Sequence, residues 1–320
     1  MEAKAPKFTI VDFNKMFPDE DTCLDYVRDM VYPDGITCRK CAVVRPHSKI
    51  EGRKAYACAH CGTHVYPLAG TIFEKSSTAL KSWFYAMYLM ASTRSGISAK
   101  QLERELGVTY KTAWRMFRQI RELLAEDSGP LRGTVEVDET FIGGKPRYGK
   151  NDDRPRDEYG RIKRGPRPKS HPKQNIAVIG AVERGGQIRA MTVPNRRAEN
   201  VLPLIAAHVM PDATVFTDDA NVYRKLGKQG YQHKRINHSA RVYVEGDVHT
   251  NTIEGFWSLL KNGIRGVYHS VGANYLQTYV DEYTFRYNHR RGPDTMFDAI
   301  SGRVAKVRSG KLGEYAPVGE

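Results

Sequence analysis

Three carboxylates in this chain occupy positions where an acid is costly to keep without a partner. Asp138 sits inside Thr134-Val135-Glu136-Val137-Asp138-Glu139-Thr140-Phe141-Ile142, which reads as a strand flanked by Val and Ile. A charged group in such a strand is expensive unless it is paired or bound to metal. Period 2 sends Glu136 and Asp138 to one face and Glu139 to the other. Asp218 follows the apolar run Ala213 to Thr217 at the carboxyl end of a second strand, where open sheets place chemistry. Asp219, beside it, reads as a turn or cap residue.

The third acid, Glu254, lies in Asn251-Thr252-Ile253-Glu254-Gly255-Phe256-Trp257-Ser258-Leu259-Leu260-Lys261, with 35 residues separating it from Asp218. At helical spacing Asn251, Glu254, Ser258 and Lys261 share one face, while Ile253, Phe256, Trp257 and Leu260 turn toward a core. A carboxylate with a Lys two turns on could hold a metal and steer a phosphate. The competing reading is a helix start, with Asn251 as N-cap and Glu254 reaching back. Gly255 weighs against that, because a glycine inside a helix costs ~1 kcal/mol relative to Ala and marks close backbone approach. Three separated acids would suit two Mg²⁺ ions about 3.5–4 Å apart, activating one oxygen and stabilising the leaving one.

A second metal pattern lies upstream. Cys38-Arg39-Lys40-Cys41 and Cys58-Ala59-His60-Cys61 form C-x2-C-x16-C-x2-C, the spacing of a four-cysteine zinc site. Four thiolates at about 2.3 Å from Zn²⁺ close a tetrahedral, structural centre. His47, His60 and His64 could replace a ligand, but the cysteine set is complete without them. Cys23 reads as a small core residue.

These residues need elements to hold them. Strands are expected at about 175–182 and 187–193, joined by the turn Glu183-Arg184-Gly185-Gly186. A helix at about 198–208, a strand ending before Asp218, a last strand at 234–237 and the helix of Glu254 complete the order β-β-β-α-β-α-β-α. That is an RNase H-like mixed five-stranded sheet. Upstream, 78–94 is an apolar helical run. Residues 98–117 read as helix-turn-helix, with Ser98 and Thr109 as caps and Gly107 as the break. Its second helix offers Tyr110, Lys111, Thr112, Arg115 and Arg118 to a major groove and its phosphates, a plain helical hairpin being the alternative. Residues 8–31 carry one or two short helices, with a cap at Asp19 or Asp21. A helix over 275–290 puts Leu276, Tyr279, Tyr283 and Tyr287 at core spacing.

Fifty Lys and Arg against 36 Asp and Glu give a net charge of +14 over 320 residues. That excess attracts polyanions, and double-stranded DNA is the leading partner, with affinity falling steeply in salt. No run of 18 apolar residues and no hydrophobic leader is present, so a cytoplasmic, nucleoid-associated protein without membrane contact is expected. The insertion 145–173 holds 11 Lys or Arg and four Asp or Glu. Such a stretch is a solvated loop by default. Through Lys145, Arg147, Arg161, Lys163, Arg164 and Arg167 it would also clamp phosphates.

Taken jointly, TVEVDETFIGG (134–144), FTDDANVY (216–223) and HTNTIEGFWSLLK (249–261), with the cysteine ribbon and the 102–116 segment upstream, resemble IS1595-family (ISXO2-like) DDE transposases. The resemblance covers roughly residues 20 to 300. It implies attack of 3′-hydroxyls on phosphodiesters, assisted by Mg²⁺ or Mn²⁺. The family's acidic triad falls on Asp138, Asp218 and Glu254, and its Asn and Lys on Asn251 and Lys261. Asp219 departs from the pattern, where Gly is common. Terminal inverted repeats and target DNA would be the substrates, and joining two ends implies a homodimer or larger assembly. The expected organisation is a helical segment 1–35, a zinc ribbon 36–70, a helix-turn-helix domain 71–128, a catalytic domain 129–300 and a tail 301–320. A zinc-ribbon DNA-binding regulator with an inactive RNase H-like domain, or a nuclease that hydrolyses without joining, are the alternatives.

Overall fold

The computed structural model describes residues 6–126, 129–143, 158, 159, 161, 176–236, 249–292 and 294–305. They fall into two compact units, one drawn from 1–129, 266–268 and 278–320 and the other from 130–265 and 269–277.

In the first unit, α1 (Ile10–Met16) opens with a reciprocal cap between Thr9 and Asp12, and α2 (Glu20–Val31) with Asp19, whose carboxylate accepts from the Thr22 amide at 2.8 Å. Three short antiparallel strands follow: β1 (His47–Lys49), β2 (Tyr56–Cys58) and β3 (His64–Val65). The apolar run becomes α3 (Leu80–Ser92), buried along Leu80, Trp83, Phe84, Met87 and Met90. It has no cap of its own, and Glu20 of α2 supplies one by accepting from the Leu80 and Lys81 amides at 2.8 and 3.2 Å. Next come α4 (Ala99–Leu106), capped by Ser98, and α5 (Tyr110–Glu122), capped by Thr109. Gly107 ends α4 at φ +65°, a left-handed conformation that glycine adopts without penalty. The pair stands where the sequence placed it.

The second unit is built on a five-stranded sheet. Its strands are β4 (Thr134–Ile142), β5 (Ile176–Glu183), β6 (Ile188–Val193), β7 (Thr214–Asp218) and β8 (Gln232–Ile236), in spatial order β6-β5-β4-β7-β8. β6, β5 and β4 are antiparallel, and β7 and β8 run parallel to β4. This is the RNase H-like arrangement. The helix α6 (Ala198–His208) buries Val201, Leu202 and Ile205 against Val135, Val137 and Val215 of the sheet. One expected helix is absent. The β7–β8 connection carries two short 3₁₀ turns, at 221–225 and 227–229, and Gly230 at φ +96° ends the second before a full α turn can repeat. α7 (Asn251–Gly263) follows.

The C-terminal helices divide differently from the expected 129–300 domain. Most of α8 (Leu276–Asn288) and all of α9 (Met296–Ser301) belong to the first unit. Phe285, Phe297, Ile300 and Val304 join the core of Phe13, Phe17 and Phe84. The physical cause is burial on every side of α8, not along one stripe: residues 280–286 are all buried, including Glu282 at 0% exposure. Burial pushes the Glu282 carboxyl up, but Arg121 of α5 (2.8 Å) and Arg286 (2.9 Å) outweigh it and hold it below the usual range. A carboxylate with two guanidiniums and the Tyr268 hydroxyl is fully satisfied, as a buried charge must be. Among the described residues no helix is long and apolar enough to cross a membrane.

Candidate functional site

The helix α7 shows the two faces its spacing implied. Asn251, Glu254 and Ser258 are exposed and Lys261 half-buried, whereas Ile253, Phe256, Trp257 and Leu260 are buried. Its start corrects the capping-box reading. The N-cap residue is Thr250, not Asn251, and its side chain caps no amide. The Thr250 hydroxyl instead donates to Glu254 Oε1 at 3.1 Å. The orphan amides of Thr252 and Ile253 donate to Glu136 Oε2, at 2.8 and 3.1 Å, so the helix is capped from β4.

Asp138 lies on the same face of β4 as Glu136 and is half-buried. Burial pushes its carboxyl up to about 7; the Glu139 and Asp218 charges add to this, while a backbone hydrogen bond at Glu139 and the Trp257 bond oppose it. Trp257 Nε1 of α7 donates to Asp138 Oδ2 at 2.9 Å. That contact depends on Gly180, the register partner of Asp138 on β5. A Cβ at Gly180 would stand 2.7 Å from the Trp257 ring and 2.9 Å from Ile253 Cδ1. Gly180→Ala is therefore expected to lift α7 from the sheet and destabilise the unit by about 1–3 kcal/mol, the usual cost of overpacking. Denaturant unfolding measures it, and an unchanged midpoint would contradict the close packing.

Asp218 is the last residue of β7. The parallel ladder pairs Glu136 with Phe216, and the same offset sets Asp138 level with Asp218. The turn role expected of Asp219 falls to Asp218, whose Oδ1 accepts from the Ala220 amide at 3.1 Å, while Asp219 pairs with Arg235 at 3.0 Å. Asp138 and Asp218 are thus neighbours, and Glu254 stands on the helix joined to β4. The three are not drawn into one cluster: among the described residues, only the four cysteines bring three or more potential ligand atoms within 4.8 Å of one another. Glu139 faces the other way, accepting from the Tyr223 hydroxyl at 2.5 Å and Arg196 at 3.1 Å.

The cysteine site is assembled. Cys38 Sγ and Cys61 Sγ are 3.4 Å apart, and the Cys41 amide donates to Cys38 Sγ at 3.5 Å. After each pair the chain turns alike, with Ala42 at φ +58° and Gly62 at φ +73° donating to Cys38 O and Cys58 O. Four thiolates this close fit the tetrahedral separation of about 3.8 Å that Zn–S bonds impose. Cys23 lies apart, buried, and burial pushes its thiol up to about 12.

Of the residues expected to touch DNA, Tyr110, Lys111, Arg115 and Arg118 are exposed on α5 and Thr112 is half-buried. Lys100 lies over the Tyr110 ring at 4.8 Å, and Arg118 pairs with Glu122 at 3.1 Å. Arg161 is exposed, over the Tyr159 ring. Lys145, Arg147, Lys163, Arg164 and Arg167 lie outside the described residues. The sequence reading missed Thr250, Arg184 and the capping role of Glu136. The only signal was a second carboxylate in phase with Asp138 on an apolar strand.

Two domain families match the chain in order. Residues 18–64 match the transposase zinc-ribbon domain and residues 130–288 the ISXO2-like transposase domain. The chain belongs to the IS1595 family of transposases. Relatives agree with it. The chain is 28% identical over 261 residues to an uncharacterized protein in transposable element ISH50 of Halobacterium salinarum, covering 79% of this chain and 87% of that protein. It is 29% identical over 103 residues to an uncharacterized transposase-like protein of Haemophilus influenzae, covering 32% and 82%. The zinc-ribbon match covers all four cysteines of this IS1595 transposase and most of the short three-stranded sheet beside them.

Proposed function

We propose that this transposase binds the terminal inverted repeats of its element and cleaves and joins DNA through Asp138, Asp218 and Glu254. The observation that carries the reading is the level placement of Asp138 and Asp218 on adjacent parallel strands, with Glu254 on the helix locked to the first. The donor set fits a hard divalent cation. The Asp218 charge adds to the cost of ionising Asp138, and a cation would relieve it. Mg²⁺ or Mn²⁺ bound there would supply charge stabilisation for in-line phosphoryl transfer. Asn251 and Lys261, on the face of Glu254, would orient and neutralise the scissile phosphate.

The exposed face of α5 would read the element's ends as the second helix of a helix-turn-helix, with the ribbon beside it in sequence and the basic insertion on phosphates. Two ends must be joined, so a dimer or larger assembly is the working form.

A strand-transfer assay with Mg²⁺ on DNA from the gene's own flanks, wild type beside Glu254→Gln, tests this. Joined products from wild type alone are expected. Tight binding without products from either protein would favour a DNA-binding regulator, and cleavage without joining a nuclease.

A further inference from the structure

We propose that Glu136 and Arg184 form a positioning node that sets Asp138, Asp218 and Glu254 relative to one another. The inference rests on reading those three as the metal-binding carboxylates, and it concerns residues that touch neither metal nor DNA.

Glu136 is fully buried, and both oxygens are engaged. Oε1 accepts from Arg184 Nε at 2.7 Å and the Thr252 hydroxyl at 2.9 Å; His249 Nδ1 lies 3.3 Å away without a hydrogen bond to it. Oε2 accepts from the two α7 amides. With its lone pairs spent, Glu136 is not free to ligate a cation. It lies instead at the positive end of the α7 dipole, where a carboxylate stabilises the helix start. Arg184 leaves the β5–β6 turn to reach it, donates to His249 O at 2.9 Å, and places its guanidinium 4.7 Å from the centre of the Phe216 ring.

The contacts share a register. Glu136, Phe216 and Thr252 each precede one of the three acids by two residues. On β4 and β7 that offset returns the chain to the same face, one pleat from the acid. On α7 it is just over half a turn, fixing the helix start while Glu254 points outward. One ion pair therefore ties down all three elements beside their acids. Glu136 caps the amides, and the Thr250 hydroxyl, which caps none, holds Glu254.

Two substitutions in the full-length protein test the node. Glu136→Gln sets an amide NH2 against donors in either orientation, Arg184 or the α7 amides, and removes the charge. Arg184→Lys keeps a charge but loses the planar contact with Phe216. Mn²⁺ binding is followed by the loss of free-ion resonance signal, beside exchange of the Thr252 and Ile253 amides and the Mn²⁺ dependence of cleavage. Partners of this kind typically contribute 10–100-fold, so Mn²⁺ affinity should fall by about 10-fold or more in each variant, with faster amide exchange in Glu136→Gln. End-DNA affinity and zinc content should stay at wild-type values. Wild-type Mn²⁺ affinity in a folded variant, with cleavage reduced only in proportion to folded protein, would overturn the node. If Glu136→Gln does not fold, Arg184→Lys carries the same decision. A wild type that binds Mn²⁺ no better than Asp138→Asn would instead sink the underlying assignment of the acids.

Discussion

Asp138→Asn is expected to abolish DNA cleavage and joining while leaving binding to the element's ends intact. The amide oxygen can still accept from Trp257 Nε1, so α7 keeps its seat on the sheet. What disappears is the charge facing Asp218. Metal-assisted stabilisation is worth several kcal/mol, and about 4 kcal/mol corresponds to a rate loss of ~10³-fold. Stability should move the opposite way. Burial and the neighbouring acids raise the Asp138 carboxyl to about 7, so the folded state loses stability as pH rises from the unfolded value near 3.8 toward 7. Asn carries no such loss. In metal-free buffer at neutral pH, the variant's thermal midpoint should equal or exceed that of wild type. Loss of both DNA binding and stability would make Asp138 a structural residue, and retained cleavage would remove it from the chemistry.

Cys58→Ser should release the ribbon's zinc and unfold residues 36–65, weakening recognition of the ends. The strands of that sheet are three, three and two residues long, far too short to persist alone. Structural Zn²⁺ contributes an apparent ~10–16 kcal/mol in small zinc modules, and a site with three thiolates and a hydroxyl forfeits much of it. Cys58 is buried in β2, so the hydroxyl cannot turn to solvent as compensation. Metal content by atomic emission and end affinity by gel shift are the measurements. A variant that keeps its metal would refute the four-cysteine centre. The sheet of the second unit, which does not contain the site, should melt as in wild type.

Much of this chain was legible because its signals are local. The C-x2-C pairs, the Ser98 and Thr109 caps around Gly107, and the alternation of β4 each depend on residues within a turn or a pleat of one another. The faces of α7 were equally clear, since 3.6-residue spacing sorts Glu254 from Trp257 without a partner in view. From these followed the zinc ribbon, the order of strands and the identity of the acids set side by side.

Partners distant in sequence were not legible. Asn251 looked like a cap because Asn–Glu spacing is a good local signature, yet the first amides of the helix, Thr252 and Ile253, are taken by Glu136, 116 residues away for Thr252. Nor could spacing alone show that Gly180 makes room for Trp257, or that Arg184 leaves its turn for a buried carboxylate. The helix over 276–288 showed an aromatic stripe, but burial around its whole circumference, with Glu282 held between two arginines, assigns most of it to the N-terminal core. By itself the sequence singled out the candidate metal-binding residues and the elements that carry them. The tertiary structure decided how those elements are held, because capping, close approach and charge pairing depend on distances in space that sequence separation does not encode.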